Sequence, residues 1–134
     1  MQKKYVVDSF ALLAYLQKER FAVQVLEIIE SAEKSTAKLW LSIINYGEVI
    51  YITERVIGLE TTRKTIALID QLPIEIVDAD RKLTFDAAHI KANYSISYAD
   101  AFSAALAIAK DAAVVTADPE FKKIEKFVDV HWLK

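Results

Sequence analysis

Between Ala101 and Ala109 the chain runs Ala-Phe-Ser-Ala-Ala-Leu-Ala-Ile-Ala without a single charge. A helix of that composition is buried on most of its sides, so the fold must surround it. One carboxylate, Asp100, stands at its N-terminal mouth, three residues after Ser97. That spacing is a capping box, and an acid in the first turn gains roughly 0.3–1 kcal/mol from the helix dipole. By itself Asp100 reads as a cap. A chemical role requires other acids to converge on it.

The remainder of the chain supplies a sheet for that helix to lie on. Residues 4–7 are a β-prone run that stops at Asp8, and a helix follows from Ser9 to about Gln17 with Asp8 or Ser9 as its cap. Residues 21–34 read as an amphipathic helix with Ala22, Val25, Leu26 and Ile29 on one face. Residues 39–41 form a second strand, which runs through Ser42 into a helix over about 43–57 closed by Gly58. A helix over about 60–71 ends before Pro73, and residues 74–77 form a third strand. Asp80 caps a helix whose Leu83, Ala87, Ile90 and Tyr94 make one stripe. After the alanine-rich helix, residues 113–116 read as a buried fourth strand. Asp118-Pro119 then opens a short helix to about Lys126, and residues 128–133 are a last strand at a sheet edge. Short strands alternating with helices give a parallel sheet covered on both faces. Such sheets bind ligands outside the carboxyl ends of their strands.

Composition narrows the function. A chain of 134 residues, 54% hydrophobic, is one folded domain over 1–134 and excludes disorder. No apolar run approaches the ~18 residues a membrane span needs. Lys3 and Lys4 faintly imitate a signal peptide, but Asp8 interrupts the apolar stretch behind them. The absence of cysteine rules out a disulfide framework and a thiolate metal site, and it suits a reducing cytoplasm. With 17 basic and 19 acidic side chains the net charge is −2, which excludes nucleic-acid binding by bulk charge. A nucleic-acid partner would need a local basic patch, a metal ion or a second subunit.

Asp8 follows the first strand, Glu48 lies in the first turns after the second, and Asp118 follows the fourth within two residues. Strand order read from sequence groups these three and leaves Asp100 unplaced. Each has a bland explanation, since Asp8 and Asp118 suit N-caps and Asn45-x-x-Glu48 has roughly capping-box spacing. Glu48 fits that explanation least, with apolar Ile44, Tyr51 and Ile52 around it and Gly47 suggesting close approach by something. Acids sharing a cleft repel unless a cation lies between them, and oxygen ligands without His or Cys select Mg²⁺ or Mn²⁺. A carboxylate metal site and a set of unrelated caps both stay open on these grounds. His89 and His131 read as structural or surface residues, because neither has a metal-ligand spacing.

Val6-Val7-Asp8-Ser9, Asn45-Tyr46-Gly47-Glu48-Val49, Ser97-Tyr98-Ala99-Asp100-Ala101 and Val115-Thr116-Ala117-Asp118-Pro119-Glu120-Phe121 stand in order along nearly the whole chain. In register, these four pieces resemble the PIN-domain ribonucleases, most closely toxins of the VapC type. The resemblance implies a three-layer α/β/α fold with a central parallel sheet of four to five strands, whose order brings the Asp100 helix to the acidic edge. It implies an acidic pocket of Asp8, Glu48, Asp100 and Asp118, with Asp8 and Asp100 the more direct ligands and Ser9 and Thr116 as hydroxyl supports. The activity implied is Mg²⁺-dependent cleavage of RNA (Mn²⁺ as a substitute), in a cytoplasmic toxin with a cognate antitoxin and a homodimeric state. Lys3, Lys4, Arg81, Lys82, Lys91, Lys122 and Lys123 are candidates for holding the RNA backbone, although each alone reads as a solvated surface charge.

Competing readings are a PIN nuclease that processes RNA without an antitoxin, and a non-catalytic module of the same fold. A receiver-type phosphorylation domain also places acids after strands, and Asp78 or Asp80 with Thr116 fits it loosely. That reading leaves Glu48 unexplained, gives Asp8 no acidic neighbour and offers only Lys134 after the last strand.

Overall fold

The computed structural model describes residues 2–134. Among them lie strands β1 (Lys3–Val7), β2 (Ala37–Ser42), β3 (Ile74–Val77), β4 (Ala113–Thr116) and β5 (Val130–Trp132). The helices are α1 (Ser9–Leu16), α2 (Ala22–Glu33), α3 (Ile43–Gln71), α4 (Arg81–Asn93) and α5 (Tyr98–Lys110). The strands are all parallel and form one sheet in the order β3-β2-β1-β4-β5.

Alternation along β1 decides the layers, because successive side chains point to opposite faces. Val6 joins Trp40 and Val114 on one face, where Leu83, Ala87 and Ile90 of α4 and Phe102 and Leu106 of α5 cover them. Tyr5 and Val7 join Leu39, Leu41 and Val115 on the other, beneath Leu12 of α1, Val25 and Ile29 of α2, and Val49 and Ile69 of α3. The result is the expected three-layer α/β/α arrangement around a parallel sheet. In α5 every residue from Ala101 to Ala107 is buried, and only Ile108 and Ala109 of the uncharged run reach the surface.

Helix starts follow their capping side chains. Asp8, Ser42, Asp80 and Ser97 are the N-caps of α1, α3, α4 and α5, accepting from the amides of Ala11, Ile44, Leu83 and Asp100. Three local expectations change. The buried face of α2 is Val25, Ile28 and Ile29, while Leu26 is turned outward. The segment after Asp118 is a 3₁₀ turn, Pro119–Lys123, too short to bury a full stripe. The last strand is limited to Val130–Trp132.

The helices expected on either side of Gly58 are two arms of α3, joined at Gly58 with φ 82° and ψ 168°. The arms fold back, so that the Tyr46 hydroxyl donates to Asp70 Oδ1 at 2.7 Å. Such backbone angles are open essentially to glycine alone. Gly58→Ala is therefore expected to lower stability by roughly 1–3 kcal/mol. Gly47 differs, because a Cβ there meets nothing within 4 Å, so no close approach within the chain requires a small residue. Gly47→Ala is expected to stabilise by about 0.5–1 kcal/mol through helix propensity. Urea unfolding of both variants checks the contrast, and effects of the same sign would contradict it.

α5 leads into β4 through residues 111–112 alone and packs on β1, β2 and β4. It must therefore run antiparallel to β4. A helix of 13 residues spans about 20 Å against about 13 Å for a strand of four, so its N-terminus projects past the carboxyl end of β4. Among the described residues no helix is long and apolar enough to cross a membrane.

Candidate metal centre

From β1 the chain steps outward to β2 and β3, then crosses back to place β4 on the opposite side of β1. A crevice opens at such a switch point, outside the carboxyl ends of the strands. Asp8 leaves β1 at that point, and Thr116 to Asp118 leave β4 there. The register pairs Val7 with Val115, so Asp8 and Thr116 come next on adjacent strands.

Asp8 is 1% exposed. Its Oδ1 accepts the Ala11 amide at 2.8 Å as the cap of α1, whereas Oδ2 is buried without a hydrogen-bond partner. Burial pushes the Asp8 carboxyl up to about 7. The nearby Thr116 hydroxyl and the Ala11 amide oppose that rise, and the charges of Asp118 and Glu48 add to it. Asp100 is the third residue of α5, and its amide donates to Ser97 Oγ at 3.1 Å. Its carboxyl is raised to about 8, chiefly by burial, then by the charges of Asp118 and Asp8 and by a hydrogen bond with Glu120. Asp118 caps the 3₁₀ turn, where its Oδ1 accepts the Glu120 amide at 2.9 Å and its own amide donates to Thr116 Oγ1 at 2.9 Å.

Asp100, Asp118 and Glu120 each offer a carboxylate oxygen within 4.8 Å of the others. Asp8 and Glu48 lie outside that trio; the charges of Asp118 and Glu48 reach Asp8, and those of Asp118 and Asp8 reach Asp100, which makes the four predicted acids neighbours at this end of the sheet. Glu120 is an addition to the acids that the sequence pattern marks as ligands. Its signal was the Asp118-x-Glu120 spacing across an N-cap, which places both acids in one tight turn.

Capping and convergence are compatible here. The cap takes one oxygen of Asp8 and one of Asp118 and leaves each a second oxygen outside the capping bond. Asn45 and Glu48 do not form a capping box, because Ser42 caps α3 and Asn45 lies buried inside its first turn. Its side chain donates to Ser9 Oγ at 2.9 Å.

The cluster fits a hard divalent cation. Two carboxyls raised toward neutrality by burial and by the charges of neighbouring acids are what a cation relieves, and Asp8 Oδ2 is a buried acceptor with nothing to accept. Every side chain gathered offers oxygen ligands, which suits a hard cation rather than a softer one.

Of the seven candidate cations, Lys3 and Lys4 stand at the opposite end of β1 from Asp8, and the strand separates them from the acids. Lys82 pairs with Asp86 at 2.9 Å. Lys91 and Lys123 donate to the carbonyls of Ile96 and Ser95, each at 2.7 Å, and so clamp the loop that enters α5. Arg81 and Lys122 are exposed, Arg81 at the start of α4 after β3 and Lys122 in the 3₁₀ turn that Asp118 caps. His131 stacks edge-on against Tyr5 and is held below its usual range by burial and by Lys3 and Lys134, while His89 lies on the surface of α4.

A family model described as PIN domain matches residues 5–127. No curated protein matches the sequence. In fold the chain is similar to DNA-bound VapBC from Salmonella typhimurium, at 18% identity over 100% of both chains with a TM-score of 0.76. It is also similar to VapBC2 from Rickettsia felis bound to a DNA fragment from their promoter, at 20% identity over 98% of this chain and 99% of that one, TM-score 0.75. A third is VapC20 from Mycobacterium tuberculosis, a sarcin-ricin loop cleaving toxin, at 15% identity over 88% and 92%, TM-score 0.70.

Proposed function

The chain belongs to the PIN domain family, and from that premise we propose that it is a divalent-metal-dependent endoribonuclease, the toxin of a toxin–antitoxin pair. The observation that carries the reading is the gathering of Asp100, Asp118 and Glu120 beside the unpartnered Oδ2 of Asp8. The toxin assignment is supported by the kind of structure that shares the fold, VapBC complexes among them. Membership of the family leaves no place for the receiver reading.

Asp8 and Asp100 are the direct ligands in this proposal, with Glu48 and Asp118 acting through water or on a second ion, and Glu120 joining them. A divalent cation bound there would supply Lewis-acid polarisation of a phosphoryl oxygen and a bound water of lowered pKa. The protein's own contribution is placement. Hydrogen bonds from Ala11 and Glu120 hold the Asp8 and Asp118 carboxylates in fixed orientations, and Ser97 fixes the start of the Asp100 helix. Ser9 and Thr116 support the neighbouring backbone through their hydroxyls. With a net charge of −2 bulk charge does not draw RNA to the chain, so local cations must hold the phosphates flanking the cut. In this reading the exposed Lys122 in the turn after Asp118 and Arg81 at the start of α4 are assigned that part. A homodimer fits the apolar surface that α3 leaves exposed at Val56, Ile57, Leu59 and Leu68. A cytoplasmic location goes with the same reading.

Incubating the purified chain with structured RNA in Mg²⁺, in Mn²⁺ and in EDTA tests the proposal. Cleavage is expected with either cation and none in EDTA. Equal cleavage in all three, or no cleavage of any RNA offered, would overturn it.

A further inference from the structure

Asp8 Oδ1 accepts the Ala11 amide and its Oδ2 has no partner, so no hydrogen bond joins Asp8 to Glu48 and something else must set their spacing. Asp8 is the residue before α1, and Glu48 lies in the second turn of α3. Glu48 is near enough to act on the ionisation of Asp8. The residues that join the two helix starts are Ser9 and Asn45, 36 positions apart. Asn45 Nδ2 donates to Ser9 Oγ at 2.9 Å, and the Ser9 hydroxyl donates to the Asn45 carbonyl at 3.4 Å. Ser9 is the direct neighbour of Asp8, and Asn45 precedes Glu48 by about one helical turn.

Asn45 is 0% exposed, and its Oδ1 has no partner. An apolar side chain at that place would fill the core without leaving a buried oxygen unsatisfied. An amide that is costly to bury, and that spends its donor on a residue beside a candidate ligand, points to geometry rather than to packing. Mg²⁺ demands a near-ideal octahedron at about 2.0–2.1 Å, so a small slip of α1 against α3 would be felt in its binding.

We propose that Asn45 and Ser9 form a positioning clamp that sets Asp8 against Glu48, making Asn45 a determinant of divalent-cation affinity. The inference rests on the reading of these carboxylates as a cation site. Asn45 touches no substrate, and it acts through the two helix starts.

The test is calorimetric Mn²⁺ binding to the full chain, without RNA, for wild type, Ser9→Ala, Asn45→Ala and the double variant. Melting of each protein in EDTA is recorded beside it. Both single variants are expected to bind Mn²⁺ about 10- to 100-fold more weakly. The double variant is expected to bind no more weakly than the worse single, because one link is broken once. Unchanged Mn²⁺ affinity in both singles, with only a lowered melting temperature, would overturn the clamp and leave the cation site standing. A wild type that binds no Mn²⁺ would overturn the cation site and the clamp with it. Should Asn45→Ala fail to fold, Ser9→Ala, which removes only a hydroxyl, decides between these results.

Discussion

Asp100→Asn is expected to reduce cation-dependent RNA cleavage by roughly 10³-fold while making the cation-free protein more stable at about pH 8. The two effects have one cause. Asp100 is 7% exposed, faces Asp118 and Asp8, and carries a carboxyl raised to about 8. A carboxamide of the same shape keeps the packing, removes a charge that burial penalises, and offers a poorer ligand for a divalent ion. A residue present only as a cap behaves otherwise. The capping bond of α5 runs from the Asp100 amide to Ser97 Oγ, and Asn would leave it intact. Loss of activity with gain of stability therefore separates a ligand from a cap, and unaltered cleavage would sink the assignment. Glu120→Gln, measured in the same series, is expected to cost about tenfold, because Glu120 is less enclosed and reaches the cluster from a 3₁₀ turn.

How these acids come together was only partly legible in the sequence. Asp8 and Asp118 could be placed because each follows a strand directly, and in a parallel sheet the ends of strands share one edge. Asp100 could not be placed by counting connections forward, since it precedes its strand. What places it is length. α5 is joined to β4 by only two residues and outruns it, so its first turn overhangs the strand end that carries Thr116 and Asp118. The resemblance implied the same position without this reason.

The place of Asn45 is hidden in the sequence for a different cause. Its spacing to Glu48 imitates a capping box, but Ser42 ends β2 and already supplies the cap, which leaves Asn45 inside the helix and free to bond across to Ser9. Gly47 also drew a functional reading that its open surroundings do not support. In α2 Leu26, expected on the buried stripe, is exposed and Ile28 is buried, because several apolar residues in a row fit more than one helical stripe. The basic residues were least legible. Lys91 and Lys123 are distant in sequence from Ser95 and Ile96 or joined to them only through a turn, and no local pattern announces that their ammonium groups hold that loop.

Without a divalent cation, the protein is expected to lose roughly 5–10 °C of melting temperature between about pH 6.5 and about pH 8.5, and to recover it in excess Mg²⁺ or Mn²⁺. In the unfolded chain Asp8 and Asp100 titrate near 3.8, and in the folded protein near 7 and 8. Between those values the folded state keeps protons that the unfolded state has released. Stability then falls as pH rises, and the fall ends once both folded carboxyls have ionised. His131 works the other way, because burial keeps it neutral and its folded pKa lies below 6.5. Its opposing rise fades as the unfolded histidine loses its proton, and is largely spent by about pH 7.5, so it offsets only the lower part of this decline. A divalent cation binds the ionised carboxylates, so its stabilising effect should be small at about pH 5.5 and largest at about pH 8. Replacing Asp8 and Asp100 together by Asn should flatten both the decline and the response to the cation. A melting temperature that holds or rises through this range in EDTA would show that the two carboxyls are not strained by their burial. It would also remove the electrostatic reason for a cation at this edge of the sheet.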